Sequence, residues 1–202
     1  DTVVVPIGAG GLISGIATAI KARSPETRVV GVQAESAATV PESLDKGAPV
    51  TIDSMQTIAD GIATGGISEL TYELIATHVD EVVTVTDTQI AESVLFMLER
   101  TKQMVEGAGA TAVAAVRSDS LDVSDEVVVP LLCGGNLSMT DLQTVLTHGL
   151  THRNQLVHLQ VHIVDRPGEM SRVSELIADC GANIHDVTHE RSAKELDVGD
   201  AY

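Results

Sequence analysis

Two hundred and two residues suffice for one large domain or one and a half ordinary ones. Twelve lysines and arginines against 29 aspartates and glutamates give a formal net charge of −17, a field that argues against nucleic-acid and membrane-surface roles. Apolar residues make up 44%, enough for a buried core, and no apolar run approaches the roughly 20 residues of a membrane helix.

Strand and helix signals alternate along the chain. Thr2–Pro6 is a short apolar run followed by a glycine-rich turn, and residues 11–23 carry Leu12, Ile16, Ala19 and Ile20 at helical spacing. Residues 27–33 read as a second strand ending at Glu35, followed by loop or short helix through Lys46-Gly47-Ala48-Pro49. A helix is predicted over about 67–76 and a strand over 81–85. Thr86 with Gln89 three residues later fits a capping box, so a helix should run from Asp87 to about Met104. An alanine-rich helix follows over about 107–116, then a strand over 126–132, stopped by Gly134-Gly135. The order β-α-β-α-β-α-α-β predicts an α/β domain with a largely parallel sheet.

Residues 149–155 are polar and read as a linker between a first domain, 1–148, and a second, 156–202. Beyond it Leu159, Val161 and Ile163 alternate with His158, Gln160 and His162, the pattern of a half-buried strand. Asp165-Arg166-Pro167-Gly168 is turn chemistry at a helix start, and Met170, Val173, Leu176 and Ile177 form the helical stripe. Gly181 suits a C-terminal cap, with extended chain from Ile184 onward. The chain opens on a strand and closes on residues 196–202, which approach another. It therefore reads as a piece of a longer polypeptide.

Other compositional signals are coarser. Tyr72, Phe96 and Tyr202 are the whole aromatic complement, so the core must be Val, Ile, Leu and Ala, the composition of parallel sheets covered by helices. High acidity with four lysines against eight arginines predicts adaptation to high salt, which loss of the fold in low-salt buffer would test. Cys133 and Cys180 are read as reduced thiols of a cytoplasmic protein.

The sharpest local feature is Pro6-Ile7-Gly8-Ala9-Gly10-Gly11-Leu12-Ile13-Ser14-Gly15, between a strand and a helix. Glycines let successive N–H groups converge and the helix N-terminus adds partial positive charge, so an anion should sit there. A tight turn packing strand on helix is the bland alternative. A dinucleotide fingerprint fits only in part: counting from Gly8, the third glycine position is Ile13, although Glu35 follows the second strand.

Residues 3–15 resemble the glycine loop of the serine/threonine dehydratases, pyridoxal-phosphate enzymes of the tryptophan-synthase β-like fold (fold type II). Thr57-Ile58-Ala59-Asp60-Gly61-Ile62 resembles a second segment of that family. Glu99-Arg100-Thr101-Lys102 running into Val105-Glu106-Gly107-Ala108-Gly109-Ala110 resembles a third, and Leu132-Cys133-Gly134-Gly135-Asn136 a fourth. Residues 156–191, with Asp165-Arg166-Pro167-Gly168 and Gly181-Ala182-Asn183-Ile184, resemble the first half of an ACT domain. Together these resemble the C-terminal part of the threonine-deaminating members that carry an appended regulatory domain.

The resemblance implies pyridoxal 5'-phosphate as cofactor, its phosphate cradled by the N–H groups of Gly8, Ala9, Gly10, Gly11 and Leu12. Ala9 replaces a glycine, which requires that residue to have negative φ. Gly61 would pass close to the cofactor ring, Glu106 would sit near the pocket, and Cys133 would offer a thiol to the pyridine nitrogen. A neutral, weak donor there leaves the nitrogen unprotonated and the ring a weaker electron sink, which suits β-elimination, where electrons leave promptly with the hydroxyl group. The implied activity is deamination of threonine to 2-oxobutanoate and ammonia by a lyase of amino-acid metabolism, in isoleucine biosynthesis. Glu35 falls where some relatives place a cation-binding carboxylate. Asp165, Gly168 and Asn183 mark an expected amino-acid effector site, and a homo-oligomer is expected.

The family's Schiff-base lysine lies in a Ser/Asn-rich segment, and none of Lys21, Lys46, Lys102 or Lys194 has that context. All four read as solvated, and residues 1–202 alone are expected to be inactive. The histidine pairs His148/His152, His158/His162 and His185/His189 lack a further ligand at metal spacing and read as polar-face residues. The rival readings are serine dehydratase or racemase activity on the same fold, a dinucleotide-binding dehydrogenase, and a purely regulatory amino-acid sensor.

Overall fold

The computed structural model describes residues 1–191 and 200–201. They divide into two compact units, Asp1–Leu156 and Val157–Tyr202. In the first, β1 (Thr2–Pro6), β2 (Arg28–Ala34), β3 (Glu81–Val85) and β4 (Val128–Pro130) form one sheet in the order β3-β2-β1-β4. Every pairing is parallel, with Thr2 opposite both Arg28 and Val128, and Val30 opposite Glu81. The helices of this unit are α1 (Gly11–Arg23), α2 (Val40–Lys46), α3 (Glu69–His78), α4 (Asp87–Arg100), α5 (Gly107–Arg117) and α6 (Met139–His152).

Alternation along the strands sorts the core onto two faces. Val5 and Val29 pack with Ile13 and Ala17 of α1 and Ile75 of α3. Val4, Val30 and Val32 pack with Ala112 and Ala115 of α5 and Ile90 of α4. Valine and alanine thus build the core, and helices cover both faces, as parallel strands require. The chain winds outward from β1 through β2 to β3, then returns to lay β4 on the other side of β1. That reversal opens a crevice at the C-terminal ends of β1 and β4, where ligands bind in sheets of this kind.

Local signals account for most boundaries. Thr86 and Gln89 form the capping box of α4, and Ser68 with Thr71 forms one for α3. The α4 helix stops at Arg100 instead of near Met104, because Lys102 takes a left-handed φ of 59°. β4 spans only Val128–Pro130, and its last ladder bond runs from Leu131 N–H to the Val4 carbonyl (2.8 Å) before the chain leaves towards Gly134-Gly135. The linker expected at 149–155 begins as helix: α6 runs to His152, capped at its start by Ser138, whose hydroxyl accepts the Asp141 N–H. Lys21 also departs from expectation. Its ammonium lies 2.7 Å from Asp80 and bonds the Thr27 carbonyl, joining the end of α1 to the start of β3.

In the second unit, α7 (Glu169–Asp179) follows Pro167 as expected, and Gly181 takes φ 73° just beyond its end. The strand expected at 158–163 does not form. Only Ile163–Val164 (β5) pair, antiparallel, with Asp200–Ala201 (β6), and Val157, Leu159 and Val161 stay exposed. A half-buried strand needs a neighbour along its length and a surface under its apolar face, and the described residues supply neither. Lys194, Tyr202 and residues 196–199 of the expected terminal strand lie outside the described residues. Among the described residues no helix is long and apolar enough to cross a membrane.

Candidate active site

β1 delivers the chain to the crevice at Pro6, and Ile7 still donates to the Val32 carbonyl (2.8 Å). From there the backbone turns into α1, whose first internal bond runs from Ser14 N–H to Gly10 C=O (3.0 Å). The N–H groups of Gly8 through Ile13 have no acceptor among the described residues. Six unpaired donors at a helix N-terminus form a cationic pole with no charged side chain. Gly10 caps the helix at φ 88°, and a methyl there would stand 2.9 Å from the Thr71 Cβ. Ala9 is not among the positive-φ residues, which meets the condition its side chain imposes. A methyl on Gly11 would meet nothing within 4 Å. The space beside this turn is open for an approaching anion.

A second wall is the turn at Asp60–Ile62. Thr57 donates its hydroxyl to Asp87 Oδ1 (2.5 Å), Ile58 donates its N–H to Asp87 Oδ2 (3.3 Å), and Ala59 N–H bonds back to the Thr57 hydroxyl. Asp87 is the first residue of α4, so the helix that covers the sheet also holds Gly61 in place. Nothing local announced this role, because Asp87 and Thr57 meet only through the fold.

The third wall joins the start of α5 to the loop after β4. A methyl on Gly107 would overlap the Ile58 carbonyl and one on Gly109 the Cys133 carbonyl, so these glycines let both neighbouring segments close on the helix. Glu106 accepts the Asn136 N–H at Oε2 (2.9 Å). Burial pushes the Cys133 thiol above its ordinary pKa, and the nearby Glu106 carboxylate adds to the rise. The thiol is therefore a neutral group at physiological pH.

These walls enclose a pocket of ≈ 220 Å³. Gly8, Ala9, Gly10, Gly11 and Leu12 line it together with Gly61, Glu106 and Cys133. Pro6, Ile62, Ala108 and Gly134, to which the sequence assigned no site role, complete it. The donor set fits a phosphate monoester on an uncharged ring: main-chain N–H groups at one end, a neutral thiol at the other.

Glu35 lies outside the pocket, exposed at the start of a short 3-10 turn. Among the described residues no group of three or more His, Cys, Asp or Glu could hold a metal ion. Ile13, at the third glycine position of the dinucleotide pattern, is fully buried in the core. In the second unit Asp165 is paired with Arg191 (2.8 Å), with His189 at 3.9 Å. Gly168 caps α7 at φ 101°, and Asn183 is exposed outside any element. His148 meets the Thr88 hydroxyl (3.2 Å) and His152 meets Glu92 (2.7 Å), seating α6 on α4.

A family model described as pyridoxal-phosphate dependent enzyme matches residues 1–134. The L-threonine ammonia-lyase of Thermotoga maritima is 41% identical over 199 residues, 98% of this chain and 49% of that protein. The enzyme of the same description from Geobacter sulfurreducens is 40% identical over 197 residues, again 98% and 49%. The chain thus spans about half the length of the curated relatives it matches. Among solved structures, the T.th. threonine deaminase superposes with a TM-score of 0.64 at 36% identity, covering 68% of this chain and 46% of that one. Maize serine racemase gives 0.66 at 33% identity, covering 76% and 48%.

Proposed function

We propose, since the chain belongs to the family of pyridoxal-phosphate dependent enzymes, that it supplies the phosphate-and-ring side of a pyridoxal phosphate site. In the whole protein that site deaminates L-threonine to 2-oxobutanoate and ammonia by eliminating water. The observation that carries this reading is the row of unpaired N–H groups from Gly8 to Ile13, facing Gly61 and Cys133 across one pocket. Bound pyridoxal phosphate would supply an electron sink for the carbanion left when the substrate α-proton is removed.

This chain's own residues bind and orient. The N–H groups of Gly8 to Leu12 hold a phosphate dianion without a cationic side chain, as a helix N-terminus can. Gly61 lines the pocket with its backbone, and a side chain there would press on Ala108 and Glu106, so the ring would approach main chain on this side. Cys133 presents a protonated thiol where a carboxylate would instead place a negative charge. The test is made on protein expressed from the full reading frame. Uptake of pyridoxal phosphate with a visible-absorbance change, and release of 2-oxobutanoate from threonine, are the expected results. Uptake of NAD in its place would overturn the reading. Turnover of serine but not threonine would move the assignment within the family.

The unit Val157–Tyr202 is read as an amino-acid-sensing domain of the ACT type, with Asp165–Gly168 and Asn183 at the effector site. Sequence identity to the Thermotoga maritima lyase extends over 199 residues, well past the end of the family match at residue 134, which supports a shared second domain. A cytoplasmic homo-oligomer in isoleucine biosynthesis, feedback-controlled by a branched-chain amino acid, follows from this reading. Isothermal titration of isoleucine and valine into the full-frame protein tests it.

A further inference from the structure

Glu106 stands at the N-cap of α5 with φ −71° and ψ 167°, yet its side chain makes no capping bond to its own helix. An acidic residue at that position ordinarily turns back onto the free N–H groups of the first turn. Here Oε2 accepts the Asn136 N–H (2.9 Å), while the Glu106 N–H donates to the Gly134 carbonyl (3.4 Å). On the other side, Oε1 lies 3.0 Å from where a methyl on Gly61 would stand. A methyl on Gly134 would overlap the same oxygen, and Gly134 holds φ 81°. The half-buried carboxylate is therefore wedged between two glycines belonging to opposite walls of the pocket. Meanwhile Gly109 seats the Cys133 carbonyl on the backbone of α5.

From this geometry we infer that Glu106 is a positioning residue: its carboxylate braces the loop Cys133–Asn136 against the Gly61 turn and so sets where the Cys133 thiol stands. The inference rests on the cofactor reading only for its functional meaning, since the brace itself is made within this chain. Glu106 acts through the thiol and the loop, and needs no contact with a bound ring. The carboxylate takes up space that side chains at Gly61 and Gly134 would fill, alongside the Ala108 methyl at Gly61 and the positive φ of Gly134.

The test compares Glu106→Gln and Glu106→Ala in full-frame protein, with two readouts that require no cofactor. In hydrogen exchange, Glu106→Ala should speed exchange of the amides at 133–136 by about tenfold, near the value of one lost hydrogen bond. Glu106→Gln should restore protection, because its amide oxygen still accepts from Asn136. Alkylation of Cys133 against pH, followed on the peptide that carries it, should shift to lower pH in Glu106→Gln. That variant keeps the shape and removes the charge that raises the thiol. A structural filler alone would not move that curve.

Unchanged exchange in Glu106→Ala, or an unchanged alkylation curve in Glu106→Gln, overturns the inference. Should Glu106→Ala not fold, the Glu106→Gln curve decides alone. If wild-type protein takes up no pyridoxal phosphate, the cofactor reading falls while these two measurements still judge the brace.

Discussion

Ile75 on α3 and Leu176 on α7 are both apolar residues on the inner stripe of a helix, yet Ile75 is 0% exposed and Leu176 59%. The difference lies in what each stripe meets. α3 closes over a four-stranded sheet whose valines already face it, whereas the unit of α7 shows, among the described residues, a two-stranded ladder of two residues each. A hydrophobic period marks which face of a helix can be buried, and burial itself needs a surface on the other side. The first unit supplies that surface from Val5 and Val29 of the sheet and from Ile13 and Ala17 of α1, all distant from Ile75 in sequence. In the second, no residue of α7 is buried.

The sharpest way to break this contrast is to truncate a side chain in each region. Ile75→Ala should destabilise the first unit by about 2–5 kcal/mol, read from the urea midpoint of full-frame protein, because it opens a cavity in a closed core. A loss under about 1 kcal/mol would mean that α3 is not seated as described. Gly109→Ala comes next, at about 1–3 kcal/mol, since its methyl must displace the Cys133 carbonyl. It should also weaken pyridoxal phosphate uptake, measured by fluorescence titration, because the displaced loop forms a pocket wall. Thr86→Ala removes the α4 cap and should cost about 1 kcal/mol in the same unfolding assay.

A smaller effect is expected at Asp80. Burial alone would raise its pKa, but the Lys21 and Val29 hydrogen bonds, with the charges of Lys21 and Arg28, together hold it below its usual 3.8. A depressed folded-state pKa means that the stabilisation is present above the unfolded value and is lost as pH falls through the folded one. The stability difference between wild type and Asp80→Asn should therefore be full at neutral pH and close below pH 3.8. A difference that widened on acidification would reverse the sign. Leu176→Ala should be the smallest change, within about 0.5 kcal/mol, as for an exposed residue. Were it to match Ile75→Ala, α7 would have a buried partner in solution.

Much of the first unit was legible because its signals are local. Glycines at 8, 10 and 11 between strand and helix, the Thr86/Gln89 pair, and valine runs of strand length each carry their meaning within a few residues. The eight pocket residues were named through resemblance and come together in one pocket. What escaped depends on distant partners. Asp87 reads as an ordinary first-turn carboxylate until Thr57 reaches it, and Glu106 as a pocket residue until Asn136 and two glycines surround it. α6 did carry a signal in Ser138 and Asp141, but its buried line is only Val145 and Gly149, too thin for a periodicity argument. The strand expected at 158–163 shows the reverse case, a clean alternation with no pairing partner among the described residues.

An anion at the turn of residues 8–13 would be met by peptide dipoles with no charged side chain among them, and those groups exchange no proton anywhere near neutrality. Whatever acidity governs capture must come from the guest: a monoester that sheds its second proton at about pH 6 would gain grip as it does so, with no matching inflection from the host. Nor could substitution of surface side chains remove those dipoles, so even in a chain of charge −17 the positive pole of this turn would persist.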